Sequence, residues 1–264
     1  MNKAPLLERI REINKIIMKA AGHPISFMEI AETLCNNICS NVYIAGRKGK
    51  ILGYAFMEDF YCPTMEEIIK HDAHYPERYN NELAQLKEPL VNVNRKGKCI
   101  FGAHESCYLP EKYTTFVPMI GGGQRLGTLV LSKQGQFNEE DLILAELGST
   151  VVGMEILRSR MERIEENARQ KAMVSVAFDT LSYSELEAVE HIFEELGGNN
   201  GLLVASKVAD KVGITRSVIV NALRKLESAG VVEVRSLGMK GTYIHVLNDY
   251  LMDELERVQA AHKR

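Results

Sequence analysis

The 264 residues carry 45% hydrophobic and 25% charged side chains with a formal net charge of −3, a balance that excludes a disordered or fibrous chain. No apolar run approaches the ~18 residues a membrane-spanning helix needs, and the opening residues mix charges into their apolar positions, which excludes a signal-peptide core there. Five cysteines without framework spacing fit a reducing compartment, so a soluble cytoplasmic protein is expected.

Leu6, Ile10, Ile13 and Ile17 recur at helical spacing and predict a one-faced amphipathic helix, stopped by Gly22, His23 and Pro24. Ser26 with Glu29 three residues on reads as a capping box, opening a second helix through Phe27, Ile30, Leu34 and Ile38. Residues 41–45 and 51–57 predict strands joined by a glycine- and charge-rich connection. Residues 58–111 are polar and irregular, yielding only a short helix over 65–70 and a strand near 99–101. Residues 114–120 and 126–132 predict two more strands about Gly121, Gly122 and Gly123, a turn between strands rather than a phosphate loop opening a helix.

Asn138 then caps a helix with Asp141 in its first turn. Met154, Leu157, Met161, Ile164 and Ala168 extend the helical spacing, which predicts one long helix leaving one domain and entering another. Short elements follow. Ser184 is expected to cap 185–196; helices over 203–212 and 215–229 are separated only by Gly213 and Ile214; strands 231–235 and 242–246 form a hairpin. The fold class is α+β, with an N-terminal domain over 1–159, a linker helix region over 160–182 and a winged helix-turn-helix over 183–264.

Charge follows the same division. Residues 205–246 hold seven basic and three acidic side chains, a basic module on an acidic body. Ala205, Val208, Ala209 and Val212 give the first helix of the pair a buried stripe, and Ile219, Ala222, Leu223 and Leu226 give one to the second. The second helix is left presenting Arg216, Ser217, Val220, Asn221, Arg224 and Lys225. Arginine and asparagine make bidentate bonds to guanine and adenine edges, and Val220 suits a thymine methyl. Lys207, Lys211, Arg235 and Lys240 suit phosphates. A helix of this kind is built for the major groove of double-stranded DNA.

The run Ala205-Ser206-Lys207-Val208-Ala209-Asp210-Lys211-Val212-Gly213-Ile214-Thr215-Arg216-Ser217-Val218-Ile219-Val220-Asn221-Ala222-Leu223-Arg224 and onward to Gly230 resembles the DNA-binding motif of the CodY family. The wing from Arg235 to Tyr243 with Lys240, the stretch Pro118-Met119-Ile120-Gly121-Gly122-Gly123 and the stretch from Asp141 to Arg158 are similar to the same family. The resemblance implies a global transcriptional regulator, mainly a repressor, and not an enzyme. It implies an N-terminal GAF sensor domain responding to isoleucine or valine and to GTP, no cofactor, and a homodimer or larger assembly on an AT-rich inverted repeat.

The family's effector pocket carries the pattern Arg-Met-x-x-Met followed by Phe-Pro, with a later Phe-Pro-Val turn. The resemblance places it here at Thr64, Met65 and Ile68, at Tyr75 and Pro76, and at Phe101, Gly102 and Ala103. Thr64 stands where the family has the arginine that binds the ligand carboxylate, so that charge must be met by the Thr64 hydroxyl, backbone amides or a cation such as Lys98. The resemblance locates no GTP site. Cys35 and Cys39 lack two further ligands at zinc spacing, and His71, Asp72 and His74 sit in a polar stretch, so no metal is expected. The alternative function is a GAF-domain thiol enzyme reducing free methionine sulfoxide through Cys99 or Cys107, which leaves the basic C-terminal module unexplained.

Overall fold

The computed structural model describes residues 4–19, 25–101 and 106–262; the expected stop at Gly22, His23 and Pro24 lies outside them. The chain divides into two compact units, Met1–Met161 and Glu162–Arg264.

The first unit opens with helices α1 (Leu6–Lys19) and α2 (Phe27–Ile38). Ser26 caps α2, its Oγ accepting from the Met28 amide at 3.2 Å, and Ile30, Ala31, Leu34 and Ile38 form the buried stripe. Next come β1 (Asn41–Gly46), β2 (Ile51–Ala55), α3 (Pro63–His71), α4 (Glu77–Ala84), β3 (Leu90–Val93), β4 (Lys112–Gly121) and β5 (Gln124–Gln134). The strands make one antiparallel sheet in the order β2-β1-β5-β4-β3. Gly122 and Gly123, both at positive φ (57° and 71°), are the two central residues of the β4–β5 hairpin, the conformation whose twist matches the flanking strands.

Alternation along the strands gives the sheet two apolar faces. Val42, Ile44, Val117, Met119, Leu129 and Leu131 pack with α1, α2 and the next helix, α5 (Glu139–Asp179). Tyr43, Ala45, Phe116 and Val130 face the other way, onto α3 and α4. At one corner lies a buried polar network. The Arg9 guanidinium, 2% exposed, donates to the Asn37 carbonyl (2.8 Å) and to Asp141 (3.2 Å), while Lys133 bonds the second Asp141 oxygen. Asp141 also closes a reciprocal cap with Asn138, tying α1, β5 and the start of α5 together.

The second unit begins on the last turns of α5, where Val174, Ala177 and Phe178 are buried. It continues through α6 (Tyr183–Leu196), β6 (Asn200–Leu203), α7 (Ala205–Val212), α8 (Arg216–Ser228), β7 (Val232–Ser236), β8 (Thr242–Val246) and α9 (Tyr250–His262). Its sheet has the order β6-β8-β7. Gly213 ends α7 at φ 79°, a left-handed conformation open to glycine at little cost, and lets α8 start three residues later.

Several expected boundaries move. The cap of α6 is Ser182, not Ser184: its hydroxyl accepts from the Glu185 amide while the Glu185 carboxylate accepts from the Ser182 amide. Leu203 belongs to β6, so α7 starts at Ala205, and β2 ends at Ala55 rather than residue 57. Residues 99–101 form no strand. The segment read as irregular holds α4 and β3 instead, and the C-terminal end holds α9.

Candidate effector pocket and nucleic-acid interface

Below the second face of the sheet, aromatic side chains from four places in the chain converge. Tyr75 and Tyr79 meet edge to face at 5.0 Å, Phe101 stacks on Tyr75 at 6.0 Å and meets the Tyr79 edge at 5.0 Å, and Phe116 closes on Tyr79 at 6.4 Å. Met65, Cys62, Tyr43 and Val130 complete the apolar wall, with Lys112, Thr114 and Ser132 at the polar end. The void left among them is about 20 Å³, room for about one water. Small-molecule pockets run to roughly 300 Å³ and above, so an amino acid enters only if these side chains move apart. Burial raises the phenols of Tyr43, Tyr75 and Tyr79 well above the ordinary tyrosine value, so all three stay neutral in the physiological range.

Of the expected effector residues, Met65, Tyr75 and Phe101 line this pocket, and Ile68 packs half-buried behind it. Thr64, half-buried in the first turn of α3, is not among the lining residues. Pro76 precedes α4 and borders an outer cleft of about 460 Å³ together with Arg78, Arg95 and Lys98. Lys98, the cation suggested by the sequence, therefore lies outside the aromatic pocket. Gly102 and Ala103 fall outside the described residues. Sequence reasoning missed Tyr43, Tyr79 and Lys112. It also missed Arg125, whose guanidinium donates to the Leu83 (2.9 Å) and Leu86 carbonyls and to Thr128, fixing the end of α4 against β5; burial lowers its pKa. Cys35 is buried, which pushes its thiol up to about 11 and keeps it neutral in the core.

In the second unit the apolar backs of α7 and α8 meet as expected. Ala205, Val208, Ala209, Ile219, Ala222 and Leu223 are buried, so these members of the motif hold the pair together and touch nothing outside. Exposed on α8 are Arg216, Ser217, Val220 (48%), Asn221 and Arg224. Arg224 Nη2 donates to Asn221 Oδ1 at 3.2 Å, which orients the amide. Both helices start without a side-chain cap and without an acid in the first turn, leaving free amides and a positive dipole end, the arrangement that receives phosphates. In the wing, Arg235 is tied to Glu233 at 2.7 Å, while Lys240 is exposed with no acidic partner among the described residues. Lys211 pairs with Glu195 at 3.2 Å, and Lys207, Asp210 and Thr215 face solvent.

This geometry has relatives. A model described as the CodY GAF-like domain matches residues 5–180, and one described as the CodY helix-turn-helix domain matches residues 199–259. The chain belongs to the CodY family. The global transcriptional regulator CodY of Clostridium perfringens is 55% identical over 255 residues, covering 96% of this chain and 99% of its own. Its counterpart in Clostridium kluyveri is 54% identical over the same shares. Among solved structures, the cofactor-binding GAF domain of the nutrient sensor CodY from Clostridium difficile is 33% identical, covering 59% of this chain and 99% of its own at a TM-score of 0.40. Membership of the CodY family makes the first unit a GAF sensor domain and the second a helix-turn-helix DNA-binding domain. The named relatives are regulators rather than enzymes, which removes the ground for a thiol enzyme at Cys99 and Cys107.

One member of the expected reading face has a different task. Lys225 is turned inward: its ammonium sits 2.6 Å from Glu185 and donates to the Thr180 carbonyl at 2.8 Å. Burial alone would raise the Glu185 carboxyl, but the Lys225 ammonium and the Ser182 cap outweigh it and hold the pKa below the usual carboxylate value. A depressed folded-state pKa means that this stabilisation is complete above the unfolded glutamate value and is lost as pH falls through the folded one. Lys225→Met is therefore expected to cost the second unit about 1–2 kcal/mol at pH 7, below the cost for a fully buried pair because Lys225 is a third exposed. The variant should also flatten the acid limb of a pH–stability profile. DNA affinity falling with stability untouched would return Lys225 to the reading face.

Proposed function

We propose that this protein is a cytoplasmic, nutrient-responsive repressor that binds AT-rich inverted repeats as a dimer and is tuned by isoleucine or valine. The exposed, uncapped face of α8, with Arg216, Asn221 and Arg224 on it, carries the DNA half of this reading. The aromatic pocket under the sheet carries the effector half: an apolar slot with one polar end suits an amphiphilic amino acid. A response to GTP follows from the family resemblance, with no site assigned to it. Dimerisation is supported by Met154 and Met161, seven residues apart on α5 and 50% and 70% exposed, the spacing of a helix-pairing seam. An inverted repeat asks for two-fold symmetry of this kind.

The mechanism is linkage. An amino acid that enters only when the aromatic side chains separate favours that arrangement over the closed one, and shifts the population by its differential affinity. The helix α5 contributes Leu144, Val151 and Val152 to the first core and Val174 and Phe178 to the second, so it is the covalent route between them. Isothermal titration calorimetry on the full chain tests the effector assignment. Saturable heat with isoleucine and valine, and much weaker heat with alanine or a charged amino acid, is expected; no heat with either branched amino acid at millimolar concentration contradicts it.

A further inference from the structure

We propose that Lys112 is the residue that holds the carboxylate of the amino acid bound in the aromatic pocket, an assignment that rests on the effector reading above. Strand alternation carries the argument. Lys112, Thr114 and Phe116 project from the same face of β4, and the register sets Thr114 opposite Ser132 on β5. All four side chains thus share the face that carries Tyr43 and Val130, and Lys112, Thr114 and Ser132 all line the pocket. Lys112 is the one charged side chain among the described residues of that lining. Among the described residues no acid lines the pocket to answer it and its ammonium has no ion pair, although it also borders a surface cleft holding Asp59 and Glu111. The three lining phenols stay neutral, so they supply hydrogen bonds and no compensating charge.

A half-buried lysine that shares the lining of an apolar slot with two buried hydroxyl residues suits a small anion-bearing molecule with an apolar body, its carboxylate toward Lys112, Thr114 and Ser132 and its hydrocarbon against Met65, Tyr75 and Phe101. The assignment also explains how Thr64, outside the lining, need not supply a charge. Arg95 and Lys98 border the neighbouring clefts, one of which shares Lys112 and Thr114 with this pocket, and of the three cations Lys112 alone is among the residues lining the pocket itself.

The test is calorimetry on the full chain with isoleucine and with isoleucinamide, which keeps the ammonium and side chain and lacks the carboxylate. The unaltered protein should prefer isoleucine by about tenfold or more, the worth of a charge-assisted bond. Lys112→Met should bring isoleucine down to the level of the amide, and Lys112→Arg should restore much of the preference. Lys112→Met that melts like the parent and binds isoleucine equally well overturns the assignment while leaving the effector reading intact. If Lys112→Met is unstable, equal binding of acid and amide by the unaltered protein overturns it instead. Absence of isoleucine binding in the unaltered protein sinks the effector reading and this assignment with it.

Discussion

Arg216→Ala and Asn221→Ala are each expected to weaken binding to the operator by about 1–3 kcal/mol, roughly 5- to 150-fold. Each side chain is exposed on α8, and each is of a type that bonds a base edge through two atoms. Truncation removes sequence information as well as energy, so the loss should be largest on the preferred site and small on unrelated duplexes. Lys240→Ala supplies the contrast. A wing lysine opposite a phosphate should weaken all sequences alike and reduce the slope of log affinity against log salt by about one. Filter binding or fluorescence anisotropy at several salt concentrations separates the two behaviours. Unchanged operator affinity in both α8 variants places the reading face elsewhere.

Asp141→Ala is expected to cost the first unit about 3–5 kcal/mol. The carboxylate is fully buried, and its removal strips the Lys133 ammonium, 14% exposed, of its ion pair and leaves the Arg9 guanidinium, 2% exposed, with the half-exposed Glu140 carboxylate at 3.0 Å in place of two acids. Half of the reciprocal cap goes as well: the Asn138 amide loses its carboxylate acceptor, while the residue-141 amide still donates to Asn138 Oδ1. Replacing all three charges together with apolar side chains of similar volume should recover much of the loss, because the penalty lies in the uncompensated ions rather than in a missing attraction. Urea unfolding followed by amide hydrogen exchange in α1 and β5 reads the first unit separately from the second, a distinction that a two-unit chain requires. A change below about 0.5 kcal/mol would mean that the network contributes little.

The parts legible in the sequence are those whose stability rests on a continuous periodic stripe. Val208 and Ala209 against Ile219, Leu223 and Leu226 announce α7 and α8, and Ile30, Leu34 and Ile38 announce α2. By contrast α4 buries only Tyr79 and Leu83, and β3 is an edge strand with Leu90 and Val91 exposed and an interrupted register, so neither makes a pattern that local reasoning detects. The α9 helix did leave a signal, Leu251, Leu255 and Val258 at helical spacing behind the Asn248 cap, whose amide is in turn held by Gln170.

The pocket divides the same way. Met65, Tyr75 and Phe101 were reachable through the family pattern, whereas Tyr43, Tyr79 and Lys112 come from β1, α4 and β4 and meet only after the sheet forms. Lys112 was signalled by alternation with Thr114 and Phe116, once β4 was known to start two residues earlier than its apolar run. Lys225 was misread because it sits at the border of the exposed face, and its partner Glu185 belongs to the cap of α6, three elements earlier in the chain.

The measurement closest to the central claim is a titration of the full chain onto a duplex carrying an AT-rich inverted repeat, with and without saturating isoleucine. Coupling between the two units predicts that isoleucine tightens binding by about 5- to 150-fold, the span of typical allosteric coupling energies, and that operator DNA tightens isoleucine by the same factor. Superimposable binding curves, from protein that calorimetry finds saturated with isoleucine, would contradict it.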